Sequence, residues 1–385
     1  MNRVRQIAEK TRVQAALVDL QKRVEEIVDY AIKVQQIPSP TFAEARRARY
    51  VEEQFYQLGL DHVEQDALHN VYGRYPGHEG VAPVVVTAHS DTVFAAETDL
   101  AVQRQNGRVY GPGIADNALG VASLLVLGET LNNFSLRPSR DIWFVANVGE
   151  EGLGDLRGMR AVVDRFGEAA TYLVLEGGLY GYVCHEGIAV RRFRIDVHAP
   201  GGHSWGSFGT PSAIHVLGRL IVAIDRLNVP QEPKTTYNVG VVEGGTTVNS
   251  IAQKAQLLLD LRSESHVALE KLVKQVERLV ATANAADDVS VSMQMIGNRP
   301  AGRLGRDTEL VSWAVASLQQ VGCGNIEYTV GSTDANVPLS RQLPAVCVGI
   351  TRSGNTHRPD EYMEVEPIPS GLGQALLLLL AAAGF

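Results

Sequence analysis

Short, unbroken apolar runs recur along the chain, and four of them stop at an acid or a histidine. VVVTAHSD ends on His89 and Asp91, DIWFVANVGEE on Glu150 and Glu151, TYLVLE on Glu176, and AVCVGITRSGNTH on His357. Runs of Val, Ile and Leu with little polar alternation predict strands buried on both faces, hence a parallel sheet. Ligands of such sheets collect beyond the carboxyl ends of the strands, so four segments distant in sequence are expected to bring His, Asp and Glu side chains to one edge.

Between these runs the period changes. Residues 3 to 36 carry helical spacing with mixed charges, and Pro38 and Pro40 then stop it, because proline lacks the amide and restricts the residue before it. A second helix is expected over residues 42 to 58, and strand-like and helix-like segments alternate from there, as in an α/β protein. The stretch between Glu176 and His357 is too long for a loop. Its middle reads as strand (189–198), helix (211–227), strand (235–242), strand (254–262), helix (266–285) and strand (289–296), the β-α-β-β-α-β order of a ferredoxin-like α+β unit. Gly201, Gly202, Gly244 and Gly245 punctuate it, and NRPAG at 298–302 is the expected return hinge. The expected organisation is a discontinuous α/β catalytic domain with a mostly parallel sheet, residues 1–187 and 299–385, interrupted by an inserted domain, residues 188–298.

With 385 residues and 45% hydrophobic side chains, the chain can bury a large core. Its net charge of -8, with no basic stripe, argues against a nucleic-acid partner. The N-terminus lacks the apolar core of a secretory signal. The C-terminal ALLLLLAAAGF falls well short of the roughly 20 residues that span a bilayer, so a buried closing helix is expected and no membrane. Three cysteines without C-x-x-C spacing fit a reducing compartment, the cytoplasm by default.

The chemistry lies at the run ends. In an extended strand His89 and Asp91 point the same way, which suits a ligand whose imidazole tautomer is set by a neighbouring carboxylate. Asp116, where a glycine-rich stretch meets an apolar helix, reads either as a helix N-cap or as a carboxylate able to bridge two cations. Glu150 and Glu151 are adjacent acids after a very apolar strand. They form a solvated loop, or one ligates a metal while the other, its pKa lifted toward neutrality, handles protons. Five candidate ligands, His89, Asp116, Glu151, Glu176 and His357, give a consistent count: two Zn²⁺ carry four positive charges, the three acids supply three negatives, and a hydroxide supplies the fourth. Co²⁺ or Mn²⁺ suit similar N and O donors. The other seven histidines, His62, His69, His78, His185, His198, His215 and His266, have no ligand-like context and read as surface or helix residues.

These segments resemble the co-catalytic zinc peptidases and amidohydrolases that include tripeptidase T, the glutamate carboxypeptidases, succinyl-diaminopimelate desuccinylase and aminoacylase. Ordered matches run from IPSPTFAEARRARYVEEQFYQLGL through TAHSDTV, GPGIADNALGVASLL, VGEEGLGDLRG, LVLEGG, GGHSWGSFG, GGTTVNSIA, DLRS and GSTDANV to HRPDEYM. The resemblance implies that Asp116 bridges two ions, that His89 and Glu176 complete one site, and that Glu151 and His357 complete the other. It implies that Glu150 is the general base and that the peptide after Asp116 is cis. It further implies a homodimer joined through an inserted lid, with His203 steadying the oxyanion across it and with Asn249 and Arg262 gripping the substrate.

For Arg262 the alternative is a plain strand-end salt bridge, and Trp205 either walls the pocket or packs the inserted domain. Glu176 stands where the aminopeptidases of that family tend to have aspartate, which favours carboxypeptidase-like or deacylating chemistry on a small peptide or N-acyl amino acid over a strict tripeptidase-T-like aminopeptidase. Two rivals are a non-catalytic scaffold stabilised by its metal cage and a two-metal phosphoesterase. A structural site has no need of an acid such as Glu150 beside its ligands, and a phosphoryl group would want more basic neighbours.

Overall fold

The computed structural model describes residues 2–77, 81–284 and 288–385. His78 and the end of the helix expected to reach residue 285 lie outside the described residues. The chain divides into two compact units, Met1–Gly187 with Gly302–Phe385, and Ile188–Ala301.

In the first unit the apolar runs form the centre of one sheet. Its order across is Asp61–Gln65, Val71–Tyr75, Ile142–Asn147, Val84–His89, Thr171–Glu176, Ala345–Gly349, Tyr182–Gly187 and Gly302–Arg303, with Glu327–Gly331 also paired to Tyr182–Gly187. The four runs, Ile142–Asn147, Val84–His89, Thr171–Glu176 and Ala345–Gly349, are mutually parallel. Antiparallel strands flank this parallel centre, and Glu327–Gly331 adds a further parallel pair with Tyr182–Gly187, so the expected parallel sheet has antiparallel edges. Alternation along one strand explains the absence of polar positions: Val84, Val86 and Ala88 enter one apolar cluster, and Val85 enters the cluster on the opposite face.

The expected N-terminal helix is three helices, Asn2–Ala8, Thr11–Lys22 and Val24–Gln35. Lys10 is extended and Arg23 leaves the helical region, so the spacing persists across breaks that a pattern alone does not reveal. The leucine run forms the closing helix Ile368–Ala382, buried in the larger cluster. Ile114–Asn133 is long and apolar enough to cross a membrane, and 89% of its apolar window is buried inside the protein.

The second unit has a four-stranded antiparallel sheet in the order Thr235–Gly244, Lys254–Ser263, Ala189–His198, Ser290–Arg299. The helices Ala213–Asp225 and His266–Asn284 pack on one face of it through Val216, Leu220, Leu269 and Val276. The last strand continues to Arg299, two residues before the unit ends, so the return connection is shorter than the NRPAG segment. A two-residue ribbon, Gly202–His203 against Ser250–Ile251, has no sequence signature and pairs the two glycine-rich loops.

Candidate metal centre

Parallel register brings the run ends together. His89 is opposite Asn147 on one neighbouring strand, and Glu176 ends the strand on the other side. Glu150 and Glu151 follow three and four residues after Asn147, across Gly149, whose φ of 69° makes the turn. His357 lies beyond its strand, on the loop between Ser353–Gly354 and Tyr362–Glu364. Those two strands pair with each other and then with Arg108–Tyr110, the segment leading to Asp116. This small sheet therefore delivers His357 and Asp116 from segments more than two hundred residues apart.

The Asp116 carboxylate divides its oxygens between two imidazoles. Its Oδ1 is 3.1 Å from His89 Nε2 and its Oδ2 is 3.2 Å from His357 Nε2. Glu151 Oε1 is 3.2 Å from His357 Nε2, and Glu176 Oε2 is 3.7 Å from His89 Nε2. Ligand atoms of His89, Asp116 and Glu151 lie within 4.8 Å of one another. Asp116 does not cap the helix Gly120–Asn133, which starts after Leu119; its own backbone is non-helical (φ -108°, ψ 91°), and the Asp116–Asn117 peptide is cis, as the resemblance implies.

Buried neighbours hold these groups. Asp91, fully buried, lies 3.6 Å from His89 Nδ1 through Oδ1, and its two oxygens accept the backbone N–H groups of Glu150 and Glu151 at 3.0 Å each. Thr41 donates its hydroxyl to the same carboxylate. The Arg47 guanidinium donates to the carbonyls of Ile37 and Ser90. The Asn117 side chain donates to Leu175 O at 2.9 Å and accepts from Gly177 N–H at 2.8 Å, tying the Asp116 turn to both neighbours of Glu176.

Glu361 accepts the N–H groups of both Ala115 and Asp116. Asn147 donates to the buried Asp334 at 2.7 Å. Glu361, Asn147 and Asp334 were given no role in the sequence, although HRPDEYM and GSTDANV contain two of them; a buried acid whose partner is a distant backbone amide leaves no local pattern.

Charge crowding sets the ionisation of the cluster. Burial, reinforced by nearby acids, pushes Glu151 and Glu176 up to about 7. The Asp116 and Glu151 carboxylates hold His357 up at about 10. Burial opposes the charge on His89, but Asp116, Asp91 and Glu176 outweigh it and raise the imidazole above its ordinary value. Asp116 is held low, since the two imidazoles overcome the cost of its burial. Two imidazoles and three carboxylates at one sheet edge, with the Asp116 carboxylate facing both imidazoles, is a donor set suited to divalent cations with N and O preference.

In the second unit, His203 Nδ1 accepts the backbone N–H groups of Trp205 and Gly206 at 3.2 and 3.3 Å. That places the ring proton on Nε2 and turns a donor outward. Asn249 is on the facing loop, where its carbonyl accepts the Ser204 N–H and its side chain accepts from Thr247. Arg262 is on the strand Lys254–Ser263, opposite Val190 and Thr236, and its Nε donates to Asp260 at 2.6 Å. The salt bridge considered from sequence exists, and Arg192 shares the same carboxylate. Trp205 does not pack the unit: it is 88% exposed. His185 is not a surface residue but a buried one, with Nδ1 2.7 Å from Leu304 O.

The fold and the cluster together define a metal-dependent α/β hydrolase. The chain belongs to Peptidase family M20/M25/M40, whose family model matches residues 85–380. It is similar to the uncharacterized protein YqjE of Bacillus subtilis (strain 168), 24% identical over 93% of this chain and 98% of that protein. It is also similar to carboxypeptidase G2 of Pseudomonas sp. (strain RS-16), 24% identical over 81% of this chain and 76% of that one. A tripeptidase from Staphylococcus aureus shares the fold, with a TM-score of 0.76 at 21% identity over 94% of this chain and 98% of that chain. The protein is a hydrolytic enzyme that acts on peptide or amide bonds.

Proposed function

We propose that this enzyme hydrolyses the amide bond next to a free carboxylate in small peptides or N-acyl amino acids, using two divalent ions, most simply Zn²⁺. The observation that carries this reading is the division of the Asp116 oxygens between His89 and His357. Asp116 would be shared between the two ions, with His89 and Glu176 available to hold one and Glu151 and His357 available to hold the other. Bound there, the ions supply Lewis acidity and generate a nucleophile from water at neutral pH.

The protein's own groups do the rest. Glu150, buried and held at its backbone by Asp91, is the general base that takes the proton and returns it to the leaving amine. Asp91 orients His89 and, by gripping both amides of the Glu150–Glu151 turn, couples imidazole placement to the placement of base and ligand. His203, with Nδ1 already occupied by two amides, donates from Nε2 to the oxyanion. Asn249 and Arg262 hold the substrate, and the planar Arg262 fork suits a terminal carboxylate. The similarity to carboxypeptidase G2 agrees with this polarity.

Residues 188–298 form a lid and the contact of a homodimer. In that unit the helix Ala213–Asp225 exposes Ile214 and Val222 on either side of Gly218, beside the outermost strand Thr235–Gly244 with its exposed Val241 and Val242. A cytoplasmic location is supported by Cys184 and Cys347, which face each other across paired strands as free thiols. Turnover of a panel of dipeptides, tripeptides and N-acyl amino acids, with and without chelator, tests the reading. Chelator-sensitive release of a carboxyl-terminal residue or of an acyl group is expected, and activity confined to free amino termini would overturn it.

A further inference from the structure

The GSTDANV segment places one more acid at the same sheet edge, and its surroundings do not suit a charge. Asp334 is fully buried, as is Asn147, the last residue of the strand that leads into Glu150 and Glu151. Asn147 Nδ2 donates to Asp334 Oδ2 at 2.7 Å. The remaining oxygen of each group, Asp334 Oδ1 and Asn147 Oδ1, is buried without a hydrogen-bond partner. Two orphaned acceptors in one buried pair are costly, about 1–3 kcal/mol each in general, and no rotation of the amide supplies the missing donor, because flipping it would turn an acceptor toward the carboxylate. A single proton on Asp334 does supply one.

We propose that Asp334 is a positioning residue that works as a neutral carboxylic acid, closing a two-hydrogen-bond ring with the Asn147 carboxamide and so fixing the strand end from which Glu150 and Glu151 depart. The charged groups around it agree. Glu150 and Glu176 oppose its ionisation and His89 favours it, while the buried Cys347 thiol, which also feels Asp334, is itself held neutral by burial. Asp91, Asp116, Glu150, Glu151 and Glu176 already crowd this sheet edge with carboxyl groups, so a further negative charge at Asp334 would meet an acidic surrounding. Asn147 also accepts the Ser90 N–H through its carbonyl at 2.7 Å, so the ring braces the His89 strand as well as the turn carrying the two glutamates. This inference rests on the reading of Glu150 and Glu151 as base and ligand.

Asp334→Asn keeps a donor and an acceptor in the same shape, whereas Asp334→Ala removes both. In the zinc-loaded full-length enzyme, D334N is expected to keep kcat/KM within about threefold of wild type and D334A to lose about 10- to 100-fold, the range seen when groups supporting metal ligands are removed. The infrared difference spectrum between wild type and D334N at neutral pH is expected to contain the carbonyl stretch of a neutral carboxylic acid. If D334N, folded and metal-loaded, falls as far as D334A, or if that band is missing, the proposal is overturned. Should D334A fail to fold, D334N and the band decide the matter. The band needs no turnover, so failure of every substrate in the panel would count against the proposed function and leave this test intact.

Discussion

Glu361 fixes the backbone of Asp116: one carboxylate oxygen accepts the Asp116 N–H at 2.9 Å and the Ala115 N–H at the same distance. Glu361 is itself fully buried and four residues from His357, so it links the loop carrying one imidazole to the turn carrying the shared acid. Removing it should loosen both. Glu361→Ala is expected to weaken zinc binding by about 10- to 100-fold, as removal of groups behind metal ligands commonly does. Competition with a chromophoric chelator measures this, and an unchanged affinity would detach Glu361 from the site.

Gly120 is spaced for the Asn117 side chain. A Cβ there would fall 2.0 Å from Asn117 Oδ1, and that oxygen accepts the Gly177 N–H. Gly120→Ala must therefore displace the amide that joins the Asp116 turn to the Glu176 strand. A loss of about 1–3 kcal/mol is expected from overpacking, together with lower activity. Urea unfolding of the variant checks the first, and stability equal to wild type would show that the turn adapts.

Metal binding should release protons. In the chelator-treated protein His357 holds its proton to about 10 while Glu151 and Glu176 titrate near 7, and all three must be deprotonated to ligate. Because these folded-state values are raised, the proton-bound form competes with the metal most strongly at low pH. Apparent affinity is expected to rise with pH through 7 and to go on rising toward 10. Calorimetric titration of zinc in buffers of different ionisation enthalpy reads the released protons directly, and a buffer-independent heat would contradict the assignment.

Much of this was legible in the chain because burial on both faces strips a strand of polar residues until its last position. His89, Glu176 and the Glu150–Glu151 pair stand out as abrupt ends of such runs. The helix breaks at Lys10 and Arg23 were not legible, since amphipathic spacing continues through them. Nor were the roles of Glu361, Asn147 and Asp334, whose partners are backbone amides or side chains more than a hundred residues away. For Trp205 the sequence leaves pocket wall and packing side by side, because the residue type alone does not reveal whether its loop projects; the 88% exposure removes only the packing alternative.

Glu150 is expected to act on protons and not on metal retention. Glu150→Gln should keep the shape of the side chain and full metal content while lowering kcat by about 10²- to 10⁴-fold, the usual contribution of a positioned general base. Near-normal turnover in a metal-replete E150Q protein would reassign the base.

The most direct measurement is the number of ions each chain retains. Zinc-equilibrated, gel-filtered enzyme analysed by inductively coupled plasma mass spectrometry should carry two Zn²⁺ per chain, and Asp116→Ala should lose both, because that carboxylate faces both imidazoles. A fully active enzyme holding one ion per chain, or an Asp116→Ala variant that keeps two, would contradict a shared-carboxylate centre.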